Sequence, residues 1–153
     1  MTLQLVCAVV LLAGVASATV AEYQPCPESL PDLCTVDEIR IDPCSSPSMC
    51  ILKKGTPAAM SFDFTPKFSA NNLKTSLFWA SDTGDVPFPD LFEADACGLT
   101  TCPTESGKTQ QLNYSLKLNK KWPQGIFNFK WVVSNADDKS QFCCFMTKVK
   151  LRR

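Results

Sequence analysis

The chain has 153 residues, enough for one domain with a sizeable core, and its fifteen basic and fifteen acidic side chains cancel. Zero net charge argues against a nucleic-acid partner, and the terminal KVKLRR (148–153) reads as a solvated strand edge. The sequence contains no histidine, which removes the imidazole that Ser–His–Asp and Cys–His hydrolases use to relay a proton.

The N-terminus is a leader by pattern. Positions 5–16 are almost all apolar, and Ala16-Ser17-Ala18 has the small-x-small form of a signal-peptidase site. The apolar run is short for a membrane span. Residues 1–18 are therefore expected to be cleaved as a signal peptide, leaving one domain over 19–153 and giving Cys7 no role. The product is expected to be secreted to the extracellular space, with the endolysosomal lumen as the alternative. Eight cysteines remain after the leader: Cys26, Cys34, Cys44, Cys50, Cys97, Cys102, Cys143 and Cys144. An even number in a secretory chain reads as disulfides. Zinc is the weaker reading, because no C-x-x-C spacing and no histidine occur.

Period-two patterns then dominate. DEIRID (37–42) is a first candidate strand. SSPSM separates Cys44 from Cys50, a local loop whose closure costs little chain entropy. AMSFDFT (59–65) puts Met60, Phe62 and Phe64 on one face, and NLKTSLFWAS (72–81) is the next strand. DVPFPDLFEADACGLTTCP (85–103) packs three prolines around Val86, Phe88, Leu91 and Phe92. Proline cannot donate to a ladder, so this segment is neither central strand nor helix. Cys97 and Cys102 enclose GLTT and form a second local pair.

QLNYSLKLN (111–119) aligns Leu112, Tyr114, Leu116 and Leu118, and IFNFKWVV (126–133) aligns Phe127, Phe129, Trp131 and Val133. FCCFMTKVKL (142–151) closes the set. In a strand Cys143 and Cys144 face opposite ways, so each is expected to take one of Cys26 and Cys34, in either pairing. KKGTP, FSANN, ESGK, KWPQG and SNADDKS punctuate the runs. Six or seven strands without a helical stripe predict an all-β, immunoglobulin-like β-sandwich stapled by disulfides. Asn113-Tyr114-Ser115 is an N-glycosylation sequon on a solvent-facing position.

Little here suggests catalysis. Asp63, Asp82, Asp85, Asp90, Glu93 and Asp95 exist, but most sit beside turn residues, where aspartate commonly makes local hydrogen bonds. There is no phosphate loop and no calcium-loop spacing. The chain is expected to be a non-enzymatic binding or carrier protein without a metal or cofactor.

The ordered pieces IDPCSSPSMCILKKG (41–55), VPFP (86–89), CGLTTCP (97–103), WP (122–123), FKW (129–131) and SQFC (140–143) resemble the ML-domain lipid-recognition family. The likeness is to its branch of Niemann–Pick type C2-like secreted sterol and lipid carriers. It runs from Cys44 to Cys143, most of the mature chain. The resemblance implies a seven-stranded sandwich whose sheets part to admit an apolar ligand. It also implies that the mouth residues fall on Phe88, Leu118 and Trp122. In the sterol carriers the last two are a smaller aliphatic and a tyrosine. Alternation adds Val86, Phe62, Phe64, Leu116, Phe127, Phe129 and Trp131 as lining candidates, for each of which plain core packing is the alternative. Three departures bear on the ligand: GDVPFP replaces VPVPFP, the N-terminal region has an extra cysteine, and Cys144 stands where those carriers have tryptophan. These features are more like the diversified arthropod members.

Three functions follow as expectations. The first is a monomeric carrier of a sterol, fatty acid or similar hydrophobic ligand, with a membrane or lipid-transfer partner. The second is recognition of microbial lipid, such as lipopolysaccharide, with an immune receptor, as in another branch of that family. The third is a ligand-free secreted interaction domain.

Overall fold

The computed structural model describes residues 18–153; of the leader expected over 1–18, all but Ala18, Cys7 included, lies outside the described residues. In chain order the strands are β1 (Thr19–Val20), β2 (Tyr23–Pro25), β3 (Cys34–Asp42), β4 (Cys50–Lys53), β5 (Pro57–Pro66) and β6 (Leu73–Ala80). β7 (Val86–Pro87), β8 (Ala94–Asp95), β9 (Gln110–Lys117), β10 (Gly125–Asn135) and β11 (Phe142–Arg152) follow, with a single 3-10 turn at Pro89–Leu91. No α-helix occurs among the described residues.

Two sheets form. One runs β1-β3-β5-β9; the other runs β2-β11-β10-β6-β7, with β4 parallel to β11 and β8 on β6. The period-two patterns explain the layering, because each long strand turns its apolar set into the space between the sheets. Phe62 sits at the centre of that space, with ring centroids 5.4 Å from Trp131, 4.9 Å from Phe145 and 5.7 Å from Phe64. The polar atom of Trp131 is satisfied internally: Nε1 donates to Thr75 Oγ1 at 2.7 Å, and that hydroxyl donates to the Val132 carbonyl at 3.1 Å.

All six predicted strands are present. The short strands β1, β2, β4, β7 and β8 have no counterpart among them, and the KVKLRR reading needs correcting. That segment lies largely in the C-terminal half of β11, flanked by β10 and β4 rather than standing at an edge.

The cysteine pairing is now resolved: Cys26–Cys144, Cys34–Cys143, Cys44–Cys50 and Cys97–Cys102. Cys34 lies on β3 and Cys143 on β11, so their bond ties one sheet to the other. On the same flank the Tyr23 hydroxyl of β2 donates to the Val36 carbonyl of β3. The opposite flank, between edge strands β9 and β7, has no such bond. Only its far end is covered. There Asn113 N donates to the Leu99 carbonyl at 3.1 Å, and Gln110 Nε2 reaches Thr100 Oγ1 and the Thr101 carbonyl, both at 2.9 Å. Among the described residues no hydrogen bond joins Tyr114–Lys117 to the segment 85–92. The sandwich is pinned along one flank and held by side-chain packing along the other.

Candidate ligand-binding seam

The segment after β6 folds back along that strand and is bonded to it repeatedly. Val86 and Pro87 register with Trp79 and Phe78, Phe88 N donates to the Leu77 carbonyl at 2.9 Å, and Ala96 N donates to the Leu73 carbonyl at 3.0 Å. Glu93 N is taken up by Ser76 Oγ at 2.8 Å. Pro87 and Pro89 stiffen the path between. Held this way, Phe88 and Leu91 turn inward and are 2% and 1% exposed.

The second lip comes from the loop after β9. Gly55, at φ +82°, gives its N–H to the Leu118 carbonyl at 2.5 Å, and Lys54 Nζ donates to the Trp122 carbonyl at 2.6 Å. The Lys120 side chain lies over Gly55, so close that an added Cβ would come within 2.6 Å of Lys120 Cε. A glycine in the left-handed region therefore seats this loop. Leu118 is buried and Trp122 half-buried as a result.

The lips meet in an aromatic cluster. Phe88 stacks on Trp79 at 5.1 Å and meets Trp122 and Phe129 edge-on at 5.0 and 5.2 Å. Trp79 also touches Trp122 at 5.4 Å and Phe127 at 4.7 Å. Offset and edge-to-face pairs of this kind are each worth about 0.5–1.5 kcal/mol beyond their area burial. Trp79, the hub, was not among the expected site residues. Its signal was present: Leu73, Thr75, Leu77 and Trp79 alternate onto the inner face of β6.

Outside this cluster a groove of about 270 Å³ runs along the unpinned flank, lined by Phe88, Pro89, Asp90, Leu91, Tyr114, Leu116, Lys117 and Trp122. Ligand pockets typically measure about 300–1,000 Å³, so the groove as it stands is small for one. Asp90, Tyr114 and Lys117 make about half of its surface polar. The Tyr114 hydroxyl is pushed above its ordinary value, first by burial and then by the charge of Asp90.

Of the expected lining residues, Phe88, Leu118, Trp122, Phe127 and Phe129 gather at the mouth, and Leu116 lies on the groove wall. Trp131 and Phe62 fill the centre behind it. Phe64 lies deeper still, paired in register with Gln110 at the covered end of the flank. Val86 departs from the expectation: it is 62% exposed at the start of edge strand β7 and forms no part of the wall. Asn113 is exposed on the outer face of β9.

Residues 20–151 match a family model described as ML domain. A Manduca sexta protein named MD-2-related lipid-recognition protein is 44% identical over 147 residues, covering 94% of this chain and 95% of that one. The chain belongs to the ML-domain family. Another relative, the Drosophila melanogaster NPC intracellular cholesterol transporter 2 homolog a, is 30% identical over 97 residues, 61% of this chain and 64% of that one. Among solved structures, a Niemann-Pick type C2 protein from Japanese carpenter ant superposes with a TM-score of 0.73 at 20% identity. The match covers 86% of this chain and 99% of that one. At that identity the superposition speaks for the fold: the ML-domain sandwich inferred from VPFP, WP and the cysteine frame is the one observed.

Proposed function

We propose that this ML-domain protein is a secreted carrier that takes a sterol, fatty acid or similar hydrophobic molecule between its two sheets, through the flank between β7 and β9. The observation that carries the reading is the asymmetry of the flanks. A disulfide and a cross-sheet hydrogen bond close one side, whereas the other is held by Phe88, Leu118, Trp122 and their aromatic neighbours. Side-chain packing can part and re-form around an apolar guest without breaking a backbone hydrogen bond. The ligand is named by class because the lips that close this flank are built from Phe88, Leu118 and Trp122, although the groove outside them is about equally polar and apolar, with Asp90, Tyr114 and Lys117 among its lining. The name of the Manduca relative, a lipid-recognition protein, supports the same class.

Burying about 400 Å² of apolar ligand surface at about 25 cal/mol per Å² supplies a gross term of roughly 10 kcal/mol. Association costs reduce this to micromolar or submicromolar affinity. The test is an equilibrium titration of tryptophan emission, since Trp79 and Trp122 line the lips. Added oleic acid or cholesterol is expected to change the emission saturably, near one ligand per chain. Purified lipopolysaccharide is run beside them, and saturation by it alone would transfer the reading to microbial-lipid recognition. No saturable response to any of the three would overturn the carrier reading.

A further inference from the structure

The end of the chain, set aside in the sequence as a solvated edge, forms the outer face of a central strand. In β11, Val149 and Leu151 are buried, while Lys148, Lys150 and Arg152 are exposed on the other face. Register adds neighbours on that face. Arg152 lies beside the exposed Lys53 of β4, and Lys150 lies between Ile51 of β4 and Ile126 of β10. Adjacent strands are about 4.8 Å apart, and like charges placed opposite one another destabilise a sheet. The Arg152–Lys53 pairing therefore works against folding.

Four cations elsewhere are ion-paired, while seven others, Lys54, Lys67, Lys74, Lys117, Lys120, Lys121 and Arg153, share the row's lack of an acidic partner among the described residues, so what sets the row apart is its alignment on one strand face. Arg40 is paired with Glu38 and Asp63, Lys130 with Glu28 and Asp85, Lys108 with Glu105 and Lys139 with Glu93. None of Lys53, Lys148, Lys150 and Arg152 has an acidic partner at ion-pair distance among the described residues. Glu22 shares a surface hollow with Lys148 without reaching it. Because the whole chain is neutral, this is a local concentration of charge.

We infer that the outer face of β11 and β4 binds a linear polyanion, an acidic polysaccharide bearing sulfate or carboxylate groups. The β11 cations form a straight row about 14 Å long, four residues at about 3.4 Å each, on a flat face. That shape fits an extended chain of repeating anions. Four disulfides belong to an oxidising compartment, where linear polyanions are polysaccharides rather than nucleic acids. A membrane-binding surface would combine its charge with a broad apolar face, and here Ile126 is the one well-exposed apolar side chain in the row. The row faces outward, away from the space between the sheets, and its Arg152–Lys53 end adjoins the Lys54–Gly55 turn that seats the second lip.

The test uses the disulfide-intact protein on immobilised heparin and on a plain sulfonate resin of similar charge density. A parallel sedimentation measures binding to vesicles of phosphatidylserine and phosphatidylcholine. The wild type is expected to stay on heparin at about 0.15 M salt, where exposed charges are screened beyond about 8 Å, and to leave the sulfonate resin earlier. Lys148→Gln/Lys150→Gln/Arg152→Gln is expected to flow through heparin. The charge-matched Lys67→Gln/Lys108→Gln/Lys139→Gln is expected to be retained. Lys53→Gln alone moves elution to lower salt, which covers the case of a poorly folded triple variant. Flow-through of the wild type, equal loss in both triple variants, or sedimentation with vesicles without heparin retention would each overturn the inference.

Discussion

Replacing Phe88 by alanine is the sharpest perturbation of the seam. The ring is 2% exposed and lies against three aromatic partners, at 5.1 Å from Trp79, 5.0 Å from Trp122 and 5.2 Å from Phe129. Truncating a fully packed phenylalanine costs about 3–5 kcal/mol, of which part reflects the cavity left behind. Here the cavity would open onto the existing groove, where water and the half-buried Trp122 ring can fill part of it. The expected loss is therefore at the low end, about 3 kcal/mol. For a protein of this size that lowers Tm by roughly 6–12 °C. The assay is urea unfolding with disulfides intact, followed by tryptophan emission, with an unchanged m-value as evidence that the unfolded state is unaffected. Val86→Ala, two residues away on the same segment but 62% exposed, is expected to stay within about 0.5 kcal/mol of wild type. A Phe88→Ala loss below about 1 kcal/mol, or equal effects at both positions, would refute the packed-mouth argument.

Trp122→Ala removes a half-buried lip residue. It should weaken ligand binding by about tenfold or more while costing less stability than Phe88→Ala, read from paired titration and urea curves. Cys26–Cys144 and Cys34–Cys143 close nearly the same loop, with separations of 118 and 109. Losing either bond leaves the other to hold the chain, at a cost of about 2–3 kcal/mol, whereas losing both costs roughly 7. Simple additivity in a Cys→Ser series would contradict the shared-loop account. Chiefly through its hydrogen bond from Arg40, Asp63 is held below its ordinary value of 3.8. A depressed carboxyl gives stability that is present above the ordinary value and lost as pH falls through the depressed one. Asp63→Asn should thus change stability by no more than about 1 kcal/mol at pH 7. It should also flatten the acid limb of urea midpoints measured down to pH 2, and an unchanged acid limb would sink the assignment.

The strands and their faces were legible because each one buries a single face, so period two survives in AMSFDFT, QLNYSLKLN and IFNFKWVV. β4 was missed for a physical reason: four residues between a tight disulfide loop and a glycine turn carry too few alternations to show a period. Local pairing of Cys44–Cys50 and Cys97–Cys102 followed from chain entropy. The partners of Cys143 and Cys144 depended on which sheet each of Cys26 and Cys34 reaches, a tertiary fact. At the mouth, motif position brought out Phe88, Leu118 and Trp122. Trp79 is hard to read from sequence because LFWA sets the adjacent aromatics Phe78 and Trp79 on opposite faces and both are only partly buried. Val86 was misread because VPFP is one short motif, yet only its second apolar residue lies past the sheet edge in the gap. The charge row on β11 was invisible for a related reason, since its significance depends on β4 lying beside it.

The most direct test of the carrier account is native mass spectrometry of the protein secreted from eukaryotic cells, with organic extraction and identification of what co-purifies. The account predicts a discrete added mass of lipid size that Trp122→Ala loses. A bare, four-disulfide mass that also takes up no added sterol or fatty acid would contradict it.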